Sequence, residues 1–339
     1  MARPACREDS SGWLMVGIKH HNGGAGKCSN SAHSAGAILI FLGALFHPQS
    51  PQAEAISTLF QYVLLLAAVI FLVVSSLVVY SILRYRARPG ATEPRRTFGS
   101  RKAEITWTAI PLLIVSALFI LTVRTMAFVD APRQPTQAPD LNITGHQWWW
   151  EARYPNGAAT VHEIHIPVGR RLLAEIQSAD VIHDFWVPQL ARKMDAVPGR
   201  SAYIWLEADT PGTYQGSCSE FCGMQHAWMR FQVVAEPEPQ FSAWVEHQAA
   251  PPSAPGPGLP TEGGRIYQQK CQDCHTRNGP PLDHIASRKI LGGDLPNTQE
   301  NLARWALNPQ SIKPGNQMPD QSLSAQDVRA VIAYLGSLQ

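Results

Sequence analysis

Two long apolar runs dominate the first half of the chain. Residues 56–83 carry no charged side chain, and residues 105–123 repeat the pattern before Arg124 closes it. As helix, the first run would reach about 42 Å at ~1.5 Å per residue. A bilayer core needs only about 20 apolar residues. Pro111 near the start of the second run is tolerable in a membrane helix whose freed backbone groups find partners. The pattern predicts a transmembrane helical hairpin. Upstream, the apolar stretch 35–46 is too short to span and suits the hydrophobic part of a signal peptide, with an internal start at Met15 as an alternative.

Beyond the hairpin the period shortens. Residues 161–166 (Val-His-Glu-Ile-His-Ile) alternate, residues 172–176 are strand-like, and residues 203–206 follow a Pro-Gly turn. Short strands broken by Gly and Pro predict a β-sandwich or barrel. Residues 249–258 then read as a stiff Pro-rich linker. Helical spacing returns at the C-terminus, where Ser324 and Asp327 read as a helix start and Val328, Val331, Ile332 and Leu335 follow. The expected organisation is a leader at 1–50, the hairpin at 51–130, an all-β domain at 131–240, a linker at 241–260 and a small all-α domain at 261–339.

Charge orients the hairpin. The segment between the runs holds Arg84, Arg86, Arg88, Arg95, Arg96, Arg101 and Lys102 against Glu93 and Glu104. A basic loop stays cytoplasmic, so both termini and both folded domains are expected outside the cell membrane. A net charge of +2 gives no reason to expect a nucleic-acid partner. Cys6 and Cys28 lie in the Gly/Ser-rich leader and receive no role. The other four cysteines form two tight pairs, each near a histidine, which points to metal or haem chemistry.

The first pair is Cys218-Ser-Glu220-Phe-Cys222, followed by His226 and Met229. A CxxxC pair alone also suits a disulfide or a zinc site. Soft thiolate, imidazole and thioether donors together select copper. Two thiolates four residues apart can bridge two coppers and share one electron between them. A second histidine must come from elsewhere, and His183, in Val-Ile-His183-Asp-Phe-Trp-Val-Pro, supplies it from an expected strand end.

With these residues in this order, the chain over residues 48–234 closely resembles the cytochrome c oxidase subunit II family, whose dinuclear copper centre is called CuA. The resemblance implies a cupredoxin-like sandwich. It implies that His183 and His226 are terminal ligands on different coppers and that Cys218 and Cys222 bridge them. Met229 would be a weak axial ligand to one copper and the Glu220 carbonyl would serve the other. The Glu220 carboxylate would face a magnesium or manganese ion shared with subunit I. Residues 193–200 (Lys-Met-Asp-Ala-Val-Pro-Gly-Arg) match the segment beside the centre. Gly145-His-Gln-Trp148-Trp-Trp resembles the aromatic patch where electrons are received, with Trp148 the implied contact. Glu104 resembles the carboxylate at the mouth of a proton channel in subunit I.

The second pair, Cys271-Gln-Asp-Cys274-His275, has the spacing of covalent haem attachment, two thioethers and one axial imidazole. Gly263 and Tyr267, eight and four residues earlier, resemble the first helix of class I cytochromes c. Met318, in Gln-Met-Pro, supplies a sixth ligand of the Met/His type. Leu295-Pro-Asn297 and Ala333-Tyr-Leu335 also resemble that family.

The reading is a membrane-bound relay in a bacterial cytochrome c oxidase that translocates protons. Electrons would pass from an external cytochrome or other donor, through haem c and CuA, to subunit I, where oxygen is reduced. The two membrane runs contain no histidine, so the oxygen-reducing site is expected in that partner. A nitrous-oxide reductase would use the same copper loop with a propeller in place of the hairpin, and a quinol oxidase subunit would lack these ligands. A copper-delivery or redox-sensing membrane protein would have no need of haem.

Overall fold

Ser50 caps the first membrane-length helix. Its hydroxyl accepts the Ala53 amide at 3.0 Å, and Pro51 occupies the first turn, where its missing N–H costs nothing. The computed structural model describes residues 46–86, 89–90 and 98–339. Cys6, Cys28, Met15, the leader up to residue 45, Arg88, Glu93, Arg95 and Arg96 lie outside the described residues. Helix α1, Pro51–Arg84, and helix α2, Arg101–Val129, contain both apolar runs. Leu65, Phe71, Leu113 and Phe119 are exposed along their sides. Ser81 and Thr122 return their hydroxyl protons to carbonyls four residues back, at 2.8 and 2.9 Å, which keeps them paired in apolar surroundings.

Both helices meet the sandwich at the same end. The Gln49 amide donates to the Gln189 carbonyl and the Asp209 amide donates to the Gln49 carbonyl, each at 2.8 Å. The Ser50 hydroxyl donates to Leu190 at 2.5 Å. At the close of α2, Arg192 pairs with Asp130 at 2.9 Å. Arg84 and Arg101, which flank the basic connection, therefore lie at the far end of the hairpin.

The sandwich comprises β1 (Leu141–His146), β2 (Trp149–Arg153), β3 (Ala159–Val161), β4 (Glu163–Pro167), β5 (Leu172–Ser178), β6 (His183–Trp186), β7 (Met194–Ala196), β8 (Ala202–Leu206), β9 (Gly212–Cys218) and β10 (Arg230–Glu236). One sheet runs β3-β2-β1-β5-β8 and the other β4-β10-β9-β6-β7. This is a cupredoxin-like architecture. Trp150, Phe185 and Phe231 fill its centre, with ring centroids 4.6–5.6 Å apart. Gly216 faces Phe231 across the ladder, and a Cβ there would lie 2.3 Å from the ring.

Two expectations are corrected. The alternating run 161–166 is not one strand: His162 adopts φ 63°, and the chain crosses from the first sheet (β3) to the second (β4). Its amide donates to Trp150 and its carbonyl accepts from Gln232, so one residue ties both sheets. The linker expected at 241–260 begins as helix α3, Glu238–Ala249, which closes the sandwich with Phe241 and Trp244. Irregular chain follows only from Ala250.

The C-terminal domain holds α4 (Leu259–Lys270), α5 (Gln272–Arg277), α6 (Gln299–Leu307), α7 (Pro309–Ile312) and α8 (Ala325–Leu335), with a small ribbon pairing Ile290–Leu291 and Leu295–Pro296. Helices α4 and α8 touch backbone to backbone: a Cβ on Gly263 would lie 1.9 Å from the Ala330 carbonyl oxygen. Helix α8 opens with the expected capping box, Ser324 and Asp327 exchanging bonds. Its Val328, Val331, Ile332 and Leu335 are buried.

Candidate metal and haem centres

Strand β9 ends at Cys218 and β6 begins at His183, and the two are neighbours in one sheet. The loop after β9 turns back through the short 3-10 turn His226–Trp228 and enters β10. This brings five side chains together. Cys218 and Cys222 Sγ are 3.8 Å apart. His183 Nδ1 lies 3.9 Å from Cys218 Sγ, and His226 Nδ1 lies 3.7 Å from Cys222 Sγ. Met229 Sδ is 3.7 Å from Cys222 Sγ, and the Glu220 carbonyl is 3.3 Å from Cys218 Sγ. Among the described residues, donor atoms of His183, Cys218 and Cys222 all fall within 4.8 Å of one another. His226 approaches from the Cys222 side, so the imidazoles flank the thiol pair.

The electrostatics favour cations. Neither cysteine is in a disulfide, and both are buried. A hydrogen bond from the Cys222 thiol, opposed by burial and helped by His183, lowers Cys218 below the usual thiol range. That adjacent thiolate, with burial, raises Cys222. The pair thus gives up its first proton readily and holds the second until a cation displaces it, as metal binding to thiols requires. Asp180 accepts from His183 Nε2 at 2.8 Å and from the Gln147 and Val181 amides at 2.6 Å each. Burial acts to raise Asp180, but its bonds to His183 and these amides leave it lowered. It therefore presents His183 Nδ1 to the thiols. The soft donor set and the paired thiols suit two coppers.

A cavity of about 420 Å³ opens beside this cluster. Cys271, Cys274, His275 and Met318 all line it, together with Leu282, Ile285, Leu302 and Trp305. His275 Nδ1 is 2.7 Å from the Pro280 carbonyl, which fixes the tautomer and leaves Nε2 for iron. Asn297 donates to the Ile285 and Arg288 carbonyls at 2.7 and 2.8 Å and so shapes the wall. Two thiols, an imidazole, a thioether and an apolar lining fit a covalently held haem. The other wall belongs to the sandwich: Gln147, Trp148, Trp149, Val161, His162 and Gln225. Trp148 also donates its indole N–H to the Cys222 carbonyl at 2.9 Å.

Comparison with known proteins places all three parts. Residues 42–124 match the family model "Cytochrome C oxidase subunit II, transmembrane domain", residues 156–236 its "periplasmic domain" counterpart, and residues 260–339 "Cytochrome c". Cytochrome c oxidase subunit 2 of Alkalihalophilus pseudofirmus is 36% identical over 306 residues, covering 86% of this chain and 90% of that protein. The chain belongs to the cytochrome c oxidase subunit II family. Its Bacillus sp. (strain PS3) relative is 32% identical over 75% of this chain and 80% of its own length. The periplasmic domain of subunit II from Bradyrhizobium japonicum, a solved structure, is 30% identical with a TM-score of 0.32, covering 34% of this chain and 95% of that one. Membership in subunit II implies an oxidase complex with subunit I, and the CuA-type and cytochrome c domains imply copper and haem.

Within this subunit II the expected residues fall into two groups. His183, Cys218, Glu220 (through its carbonyl), Cys222, His226 and Met229 converge, as do Cys271, Cys274, His275 and Met318. Glu104 stands apart, exposed in the first turn of α2. The Glu220 carboxylate is exposed rather than directed at the thiols. Residues 193–200 do lie beside the centre, with Ala196 opposite His183 across β6 and β7. Three contributors escaped sequence reading. Asp180 orients His183. Gly145 makes room for it, since a Cβ there would lie 2.9 Å from the His183 ring. Lys313, in an apparently ordinary Lys-Pro-Gly turn, is buried.

Proposed function

We propose that the chain is the electron-receiving subunit of a proton-translocating cytochrome c oxidase in a bacterial cell membrane, acting beside subunit I. His183 and His226 would each cap one copper, Cys218 and Cys222 bridge the pair, and Met229 and the Glu220 carbonyl complete its ends. Cys271 and Cys274 would tether a haem c, with His275 and Met318 facing its iron. A haem and a mixed-valence copper pair, when bound, exchange single electrons with little rearrangement. The chain's own contribution is to fix where those groups sit and to keep water from the thiols.

The observation that carries this reading is Trp148. It stands in the wall of the haem cavity and donates to the carbonyl of the bridging residue Cys222. One rigid side chain thus spans the distance from haem wall to copper ligand, which supports Trp148 as the residue through which electrons pass. An external donor would then deliver to the haem domain. The exposed Glu220 carboxylate would meet a magnesium or manganese ion shared with subunit I, and Glu104 the mouth of that subunit's proton channel. Helices α1 and α2 would cross the bilayer with the folded domains outside, because Arg84 and Arg101, at the helix ends away from those domains, would stay cytoplasmic.

The test is spectroscopic, on the purified membrane complex. A c-type haem band and the seven-line copper hyperfine pattern of a mixed-valence pair are expected. A four-line pattern from isolated copper, or a chain without covalent haem, would overturn the proposal.

A further inference from the structure

The copper loop does not stand on its own contacts alone. Its backbone bonds, His226 to Gly223, Trp228 to Gln225 and Met229 to His226, close within the loop itself, and only Cys218 joins it to β9 through the Met229 carbonyl. The sandwich grips the first half of the loop, where Gln147 and Trp148 donate to the Cys222 carbonyl at 2.7 and 2.9 Å and the Ser219 amide donates to the Asp184 carbonyl at 3.1 Å. The second half is gripped from the haem domain, by contacts that alternate with the ligands His226 and Met229. Gln225, buried, donates through Nε2 to the Pro314 carbonyl. The Trp228 carbonyl accepts from Lys313 Nζ at 2.9 Å. Arg230 lies against Gly293, where a Cβ would sit 2.2 Å from the Arg230 carbonyl oxygen, and φ +101° suits glycine there. Arg230 also reaches Asp294 at 3.7 Å.

Lys313 is the centre of this contact. Only 6% exposed, its ammonium donates to the carbonyls of Trp228 and Gly292 and lies 3.9 Å from Asp294. An ammonium is withdrawn from water at a cost of several kcal/mol unless its protons find new partners. A lysine serving only solubility would extend into solvent. Here it joins a carbonyl between two copper ligands to the backbone of the haem domain.

We infer that Lys313 is a positioning residue for the copper centre: with Gln225 and Pro314 it clamps the ligand loop, holding His226 and Met229 at Cys222, and ties that geometry to docking of the haem domain. This rests on the reading that the cluster holds copper. Coupling of this kind is reciprocal, so copper in the site also tightens the docked haem domain.

The experiment compares whole purified complexes. Lys313→Met keeps the stem and removes the donor. Loss of such a supporting bond is expected to weaken copper retention against a chelator by about 10- to 100-fold. The copper hyperfine splitting should change while covalent haem content equals the parent's, and Lys313→Arg should restore most of the retention. A Lys313→Met complex holding copper as tightly as the parent, with the same hyperfine pattern, overturns the clamp. A parent complex without paired copper instead overturns the copper reading beneath it. Should Lys313→Met fail to assemble, hydrogen exchange on the unaltered chain decides. Amides of residues 292–294 and 315–316 are expected to exchange at least ~5-fold more slowly with copper bound than without it. Equal exchange overturns the clamp.

Discussion

Gly145 shows how a residue without a functional group can govern one that has it. It sits in β1 against the His183 and Trp150 rings, and a methyl there would press the imidazole at 2.9 Å and the indole at 3.1 Å. Trp150 is locked in the core, so His183 must give way. Gly145→Ala should therefore leave the fold intact and reduce copper affinity by about 10- to 100-fold, the usual cost of disturbing a ligand's support. Copper content after competition with a chelator measures this, and parental retention would show that the ring accommodates the methyl. The ligands themselves were legible because chemistry and spacing occur together in Cys218, Cys222, His226 and Met229. Asp180, Gly145 and Lys313 were not, because their roles exist only through space. An aspartate in a Ser-Ala-Asp turn and a lysine before Pro-Gly read as ordinary solvated positions.

At the scale of elements, sequence patterning succeeded where one environment persists along the chain. The uncharged runs gave both membrane helices, since lipid imposes the same demand on every turn. The 161–166 run misled because its period continues through a residue that changes sheets. His162 carries that change, and burial, with the Lys313 charge nearby, pulls its imidazole down to about 3 despite its bond to the Arg230 carbonyl. The sign follows directly. Below its ordinary 6.5 the unfolded chain binds a proton that the folded sandwich refuses, so stability present above pH 6.5 is lost as pH falls toward 3. The slope is at most about 1.4 kcal/mol per pH unit from this one group. His162→Asn, which tolerates the left-handed backbone, should flatten that acid dependence in thermal melts followed by tryptophan fluorescence; an unchanged slope would assign it to other groups. Helix α3 was missed because its apolar positions are few and it borders a Pro-rich stretch. Phe241 nonetheless packs at 6.1 Å from the Tyr154 ring. Phe241→Ala should lower stability by about 3 kcal/mol, read in the same melts; a loss well under that would mean α3 merely rests on the sandwich.

At the scale of the whole molecule, the question is whether the haem domain swings on its linker or stays docked. A Pro-rich tether reads as a spacer, but the contacts argue for docking. Glu163, buried at the head of β4, accepts the Lys289 and Ile290 amides at 2.5 and 2.6 Å. His284 lies 2.8 Å from the Ala250 carbonyl, fastening the tether itself. Glu163 and Lys313, which carry the main contacts at this junction, are buried, while the Arg230–Asp294 pair is about a third exposed; buried charges are screened far less than exposed ones. Electron exchange between the two centres should therefore be independent of protein concentration and nearly unchanged from roughly 0.01 to 1 M salt, while the Debye length shrinks from about 30 to about 3 Å. Uptake from a charged external donor, which depends on steering through solvent, should fall over the same range. Flash reduction of the haem, with copper reoxidation and reduction followed optically, separates the two steps. If the internal step slowed with salt as steeply as uptake, the docked arrangement would be one transient pose of a swinging domain. A constant internal rate beside a falling uptake would instead mark the sandwich and haem domain as one electron-transfer body, with Trp148 fixed between them.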